Sequence, residues 1–329
     1  MNQPAWHTPV LLDRVVELLA VVEPGTVIDA TLGGAGHADA LLRARSDLRV
    51  LGLDRDPDAL AAAQRRLAPH GERARTVHTR FDQLADVVSA AGTAIQPVVG
   101  VLFDLGVSSA QLDRAERGFS YRLDAPLDMR MDPTSGSTAA DIVNTWDEAE
   151  LAAILRRNAD ERFATRISRA IVAARPVTTT NELAAVVREA IPAPARRRGG
   201  HPAKRTFQAL RIEVNSELEV LPVALDAAVE ALAPGGRCLA ISYHSGEDRV
   251  VKARFRRAED GGCTCPPGLP CVCGATPSVR LLRRGGWVPS PEELESNRRA
   301  ASARLRAVEK LRPVPVPAPA PGGPGGFPR

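Results

Sequence analysis

Four short apolar runs separated by helical stretches open this chain, and that alternation constrains its fold more than any other feature. The runs are Thr26–Ala30, Leu48–Asp54, a third closed by Val77, and Val98–Asp104. Between them lie helical patterns over Ala38–Ala44 and Pro57–Leu67. An amphipathic helix precedes them over Thr8–Ala20, with Leu11, Leu12, Val15, Val16 and Leu19 on one face. Strands alternating with helices predict βαβ units, hence an α/β chain with a parallel sheet.

The alternation stops after the fourth run. From Leu112 to about Arg211 the pattern reads as helical. Thr145-Trp146-Asp147-Glu148 has the form of a capping box, Phe163, Ile167 and Ile171 repeat at i+4, and Thr180 is placed to cap Asn181–Ile191. Sheet signals then resume: a helix over Ser216–Ala233, the turn Pro234-Gly235-Gly236, and strands at Arg237–Ser242, Val279–Arg284 and Ala303–Glu309. The expected organisation is a sheet domain in two parts, 1–111 and 212–310, with a helical insertion at 112–211. The Pro/Gly-rich tail, 311–329, is expected to be disordered.

The net charge of +4 hides an asymmetry. Between Arg156 and Arg211 stand thirteen Lys/Arg against four Asp/Glu, a surplus of nine, so the remainder is net acidic. A basic block on an acidic body suits a polyanion, and equally suits a solvated, Arg-rich helical surface. No stretch approaches the ~18 to 20 apolar residues of a membrane span, and Met1–Pro9 lacks the form of a signal peptide. The expected compartment is the cytoplasm, with no membrane partner.

Three places carry chemistry. The turn Leu32-Gly33-Gly34-Ala35-Gly36-His37 brings backbone and a helix N-terminus close to a ligand. Asp39 occupies the last-glycine position of G-x-G-x-x-G, so the dinucleotide fingerprint is broken. Asp54, twenty residues after Gly34, can accept from both hydroxyls of a ribose. Together they indicate a nucleotide-like ligand without separating NAD from S-adenosylmethionine. Asp104 ends the fourth run, where such sheets bind ligands, and leads into Leu105-Gly106-Val107-Ser108-Ser109-Ala110-Gln111. A carboxylate there can hydrogen-bond a delocalised amine and stabilise the charge that grows on its nitrogen, or it can simply cap the next segment.

These segments resemble a known family. His7-Thr8-Pro9-Val10-Leu11-Leu12, Asp104–Gln111, Gly118-Phe119-Ser120-Tyr121, Pro126-Leu127-Asp128-Met129-Arg130-Met131, Lys204–Arg211 and Ser242-Tyr243-His244-Ser245 are similar, in order, to the 16S ribosomal RNA (cytosine-N4) methyltransferase family. The likeness spans residues 7 to 310. It implies a class I, Rossmann-like S-adenosylmethionine methyltransferase sheet with an inserted helical domain. It implies methylation of a cytidine N4 in the decoding region of small-subunit RNA. Donor contacts are implied at Ala35, Gly36, His37, Asp54, Phe81, Asp104 and Gln111, with Ala35 standing where the family often has glycine. Catalytic candidates are Asp104, Ser108 and His244. The expected partners are 16S rRNA or the small ribosomal subunit, with a homodimer as a further partner state.

Arg196, Arg197, Arg198, Lys204, Arg205 and Arg211 are candidate RNA phosphate contacts, and Phe207 is either a base-stacking or a core residue. Cys263, Cys265, Cys271 and Cys273 form two C-x-C pairs that suit either a structural zinc or free, redox-active thiols. Two rival functions stay open. A DNA amino-methyltransferase lacks support because no Pro-Pro-aromatic run follows Asp104. A non-catalytic RNA-binding scaffold has no need of the acids at 54 and 104.

Overall fold

The structure is a computed structural model that describes residues 8–196, 200–266 and 270–312. Seven strands form one sheet in the order β3-β2-β1-β4-β5-β7-β6. They are β1 (Gly25–Asp29), β2 (Leu48–Asp54), β3 (Ala74–His78), β4 (Val98–Asp104), β5 (Arg237–Ser242), β6 (Val279–Leu281) and β7 (Arg304–Lys310). The first five run parallel. β7 pairs antiparallel with β5, and β6 with β7. The central strands are apolar along their length because helices cover both faces. One face packs Leu18 and Leu19 of α1 (Leu12–Leu19), Leu41 and Leu42 of α2 (Gly36–Ala44) and Leu60 and Leu67 of α3 (Pro57–Leu67). The other packs Leu84 of α4 (Leu84–Ala91), and the residues of two later helices described below. The order reverses between β1 and β4, the position at which open α/β sheets leave a crevice beyond the strand ends.

Between β4 and β5 the described chain is helical in α5 (Ser109–Asp113), α6 (Ala139–Thr145), α7 (Glu148–Ala159), α8 (Ala164–Ala173), α9 (Thr180–Ala190), α10 (Ala193–Arg196), α11 (Lys204–Val214) and α12 (Glu217–Ala231). Residues from Phe119 to Leu210 form a core of their own, including Leu151, Ile154, Ile167, Ile171, Leu183 and Phe207. α12 returns to the sheet with Leu221 and Leu225, as does α13 (Ser245–Asp260) with Val251 and Phe255. A short α14 (Pro291–Ser296) precedes β7. No helix among the described residues is long and apolar enough to cross a membrane.

Several ends differ from the sequence reading. The box that opens α7 joins Asp147 to Glu150, not Thr145 to Glu148. Thr179, not Thr180, caps α9. The Thr180 hydroxyl instead donates to Leu123 O and accepts from Ala125 N. α1 begins at Leu12 because Leu11 adopts a left-handed φ of 54°, with its N–H held by Glu293 Oε1 at 2.6 Å. Residues 118–138 are irregular rather than helical. Several of their backbone groups are satisfied from outside the stretch. Arg117 donates to Met131 O and Arg130 O, while Asn215 accepts from Met131 N and donates to Met129 O.

Arg117 also ties this segment to the sheet. Its side chain is 9% exposed, and Nη1 donates to Asp56 Oδ2 at 2.9 Å. Gln111 Nε2 donates to the same oxygen at 2.9 Å, and Asp56 Oδ1 caps α3 through Asp58 N. Removing one partner of a buried ion pair leaves an uncompensated charge. Arg117→Met is therefore expected to cost about 3–5 kcal/mol in urea unfolding. Arg114→Ala, which breaks an exposed pair with Asp58, is expected to cost under about 1 kcal/mol. Equal effects from the two variants would refute the anchoring role of Arg117.

Candidate active site

The turn after β1 is shaped for close approach. Gly33 and Ala35 have φ of 49° and 59°, in the left-handed region where a Cβ is disfavoured. This explains why glycine suits position 35 and why alanine there is strained. At Gly36 a Cβ would come within 2.3 Å of Pro9 Cγ, so only glycine fits. Ala35 gives α2 no side-chain cap. The N–H groups of its first turn therefore lack a side-chain acceptor from the cap position, at the positive end of the helix dipole.

Three carboxylates stand at the adjoining ends of β1, β2 and β4. Asp54 is held on both oxygens: Oδ2 accepts from Gly33 N at 2.7 Å and Oδ1 from Asp56 N at 2.8 Å. An ionised carboxylate has about four acceptor sites, so lone pairs remain for hydroxyl donors. Burial pushes Asp54 upward, and those two N–H bonds oppose the shift without cancelling it. Asp29 is 2% exposed. Burial pushes its pKa up to about 7; the Thr31 N–H opposes this, while Asp104 and Asp54 add repulsion. Sequence reading passed over Asp29. The signal was present, because β1 closes on an acid just as β2 and β4 do.

Asp104 gathers the remaining groups. Its backbone N–H donates to Thr31 Oγ1 at 2.6 Å. Oδ1 accepts from Tyr243 Oη at 2.6 Å, and Oδ2 lies 3.7 Å from His37 Nδ1. His37 Nε2 is 3.1 Å from Val10 O. A carbonyl only accepts, so Nε2 carries a proton and Nδ1 faces Asp104. Burial raises the Asp104 pKa, against the lowering influence of His37 and Tyr243. Burial, with Asp104 beside it, also pushes the Tyr243 hydroxyl well above the usual phenol range. No sequence spacing signals Tyr243, since its partner is 139 residues away.

The other candidates divide. Phe81 meets Phe103 edge-to-face at 5.9 Å, at the end of the sheet that carries the acids. Gln111 is 5% exposed and occupied at both ends, with Oε1 accepting from Ser108 N and Nε2 donating to Asp56. It braces the loop after β2, and a ligand would have to share those atoms. Ser108 Oγ caps α5 by accepting from Gln111 N. His244 caps α13, its Nδ1 accepting from Gly246 N and Glu247 N. Its Nε2 lies 3.1 Å from Glu247 Oε1 without hydrogen-bond alignment. Burial raises Glu247, but His244, Arg211 and the Tyr243 N–H outweigh it and hold the carboxyl below its usual range.

Arg211 is corrected from a phosphate contact to an internal residue. Nε and Nη2 each donate to Glu217 at 2.8 Å, in a bidentate pair that points into the protein. Phe207 is 3% exposed and belongs to the helical core, which favours the core reading of this residue. Arg196, Lys204 and Arg205 are exposed, with Arg205 Nη1 donating to Asp160 O. His7, Arg197, Arg198 and residues 313–329 lie outside the described residues. The four clustered cysteines stand on the loop after α13, away from the acids.

Asp29 makes stability depend on pH. Its folded pKa exceeds the unfolded value, so the native state binds the proton more tightly between about 4 and about 7. Stability is present at low pH and falls as pH rises through that window, by up to about 1.4 kcal/mol per unit. Asp29→Asn keeps an acceptor for Thr31 N and removes the titration. The melting temperature of the variant is expected to exceed that of the wild type by a margin that grows from pH 5 to 7. The margin should then level off. A margin independent of pH would show that Asp29 is solvated.

The family model described as the MraW methylase family matches residues 4–311. "Ribosomal RNA small subunit methyltransferase H" of Frankia alni is 56% identical over 315 residues, covering 93% of this chain and 96% of its own. Proteins of the same name from Thermobifida fusca and Heliobacterium modesticaldum are 54% and 52% identical, again over 93% of this chain, and over 94% and 99% of theirs. A crystal structure of a putative rRNA-methylase from Clostridium thermocellum covers 93% of this chain and 100% of its own at a TM-score of 0.44 and 14% identity. With a family model that runs from ahead of the first helix to the last strand, and relatives matched over nearly their whole length, the chain belongs to the MraW methylase family.

Proposed function

We propose that this protein transfers the methyl group of S-adenosylmethionine to the exocyclic N4 amine of a cytidine in the decoding region of 16S ribosomal RNA. The observation that carries the reading is the meeting of Asp29, Asp54 and Asp104 beside an uncapped helix N-terminus at the point where strand order reverses. The relatives named above supply the substrate class.

The residues present fit the donor. The first turn of α2 suits its carboxylate, Asp54 has lone pairs left for ribose hydroxyls, and Phe81 offers a ring edge beside the same strand ends. The acidic lining suits a cationic sulfonium, whose arrival relieves repulsion among the three acids. Methyl transfer breaks the sulfur–carbon bond and forms a nitrogen–carbon bond. Sulfur becomes a neutral thioether and the amine nitrogen becomes cationic, then loses a proton. Asp104 is the acceptor for that proton, because its raised pKa brings it nearer the working pH. Tyr243 positions it through the hydroxyl bond to Oδ1, with His37 Nδ1 3.7 Å from Oδ2. The exposed Arg196, Lys204 and Arg205, with Arg197 and Arg198, hold RNA phosphates while the target base leaves its stack. In this reading residues 112–211 are the substrate-binding domain.

The test is methyl incorporation into undermethylated small subunits, with the product identified by nucleoside mass spectrometry. N4-methylcytidine in 16S rRNA is expected, and label appearing only in DNA or at another atom would overturn the assignment. Asp104→Asn is expected to lower kcat about a hundredfold. Asp54→Ala is expected to raise the donor Kd at least about tenfold by calorimetry, through lost hydrogen bonds. Unchanged donor affinity in the Asp54 variant would remove it from the ribose.

The basic surface has its own readout. Lys204→Gln with Arg205→Gln should flatten the plot of log affinity against log salt by about 0.7 per lost contact with single-stranded RNA. Arg211→Gln should lower the melting temperature instead and leave that slope alone. A reversal of the two outcomes would return Arg211 to the interface.

A further inference from the structure

We propose that Cys263, Cys265, Cys271 and Cys273 form a four-thiolate zinc site that staples the loop between α13 and β6. The four sulfurs all lie within 4.8 Å of one another. Cys263 and Cys271 are 3.5 Å apart, Cys271 and Cys273 3.5 Å, and Cys273 and Cys263 3.7 Å. A tetrahedron with zinc–sulfur bonds of ~2.3 Å has sulfur–sulfur edges of about 3.8 Å. A disulfide requires about 2.05 Å, so none of these pairs is bonded, and all four cysteines are free. The sulfurs have therefore converged on one centre rather than paired off.

The backbone around them is arranged for thiolates. Val272 N donates to Cys265 Sγ at 3.4 Å. Donors aimed at sulfur spread the negative charge that four thiolates would share around one divalent cation.

The loop needs such a staple. Between Asp260 and Val279 no helix or strand occurs among the described residues, and Val272 is 88% exposed. A stretch of this length without secondary structure or a buried apolar anchor does not hold its shape by hydrophobic contact. Its two ends are nevertheless pressed together: a Cβ on Gly261 would lie 2.5 Å from Thr276 N, and Ser278 N donates to Ala258 O at 2.9 Å. Four protein ligands fill a tetrahedral site and leave no position for substrate, so the role is structural. The sixteen-residue α13, about 24 Å long, separates the loop from His244 at the chemical end of the sheet.

The test uses the full chain, purified under reducing conditions after zinc-supplemented growth and with any affinity tag removed. Elemental analysis is expected to find about one zinc per chain. Cys263→Ser with Cys271→Ser is expected to lose it, with donor affinity by calorimetry unchanged. Cobalt-exchanged wild type is expected to show the thiolate charge-transfer and tetrahedral d–d bands of a four-sulfur site, which keeps the test valid if the double variant folds poorly. Three outcomes would overturn the proposal: metal-free protein with four freely reacting thiols, disulfides in the intact mass, or iron in place of zinc.

Discussion

A single buried carboxylate holds the two halves of this molecule in register. Asp56 is 2% exposed, and three sets of donors converge on it. Asp58 N caps α3 through it; Gln111 and Arg117 reach it from the segment after β4. Its own N–H fixes Asp54 Oδ1. The position of the acid that faces the proposed ribose is thereby coupled to the docking of the helical segment. A buried charge of this kind adds little net stability, but it penalises every arrangement that leaves it unpaired. The gain is in geometry: the helical segment cannot shift on the sheet without stranding a charge.

The site itself works against folding. Asp29, Asp54 and Asp104 are drawn together at strand ends with their carboxyls pushed up by burial and, for Asp29, by mutual repulsion. An apolar residue at position 29 would extend the core that already holds Ile28 and Ala30, at the loss of the bond from Thr31 N. Local conflicts of this kind concentrate where a protein binds or reacts. A cationic ligand resolves the conflict by supplying the charge that the site lacks. Tyr243 makes a partial substitute within the protein by giving its hydroxyl to Asp104.

What the sequence disclosed follows the range of the interactions involved. β2, β4 and β5 were legible to the residue, because continuous apolar runs in a parallel sheet end where burial ends. α3 was equally legible, with Pro57 at its first position and Asp56 as its cap. α1 was not, since its start is set by Glu293, 282 positions away. The stretch 118–138 was swept into the helical reading of its neighbours, although its apolar residues alternate from Phe119 to Met131 rather than recurring at helical spacing; part of its polar backbone is satisfied by Arg117 and Asn215. The strand-end placement of Asp54 and Asp104 was legible from position alone. Arg211 was misjudged because charge composition says nothing of a bidentate partner six residues on. Asp29 carried the same strand-end signal and was passed over, whereas the rank of Tyr243 emerged only once the strand ends met.

The cysteine cluster and the acids lie at opposite ends of the same sheet, and the strands between them define how one depends on the other. β6 is a three-residue edge strand whose only partner among the described residues is β7. β7 in turn pairs along the whole of β5, from Arg237 to Ser242, and Tyr243 follows directly. A short edge strand contributes few ladder bonds, so the loop before it decides whether it stays docked. Fraying there would remove one side of β7 but would leave β5 still flanked by β4. The sheet thus buffers the chemical end against motion at the stapled edge. Loss of the staple should first appear as faster opening and proteolysis of residues around β6, while Asp104 keeps its place beside Tyr243.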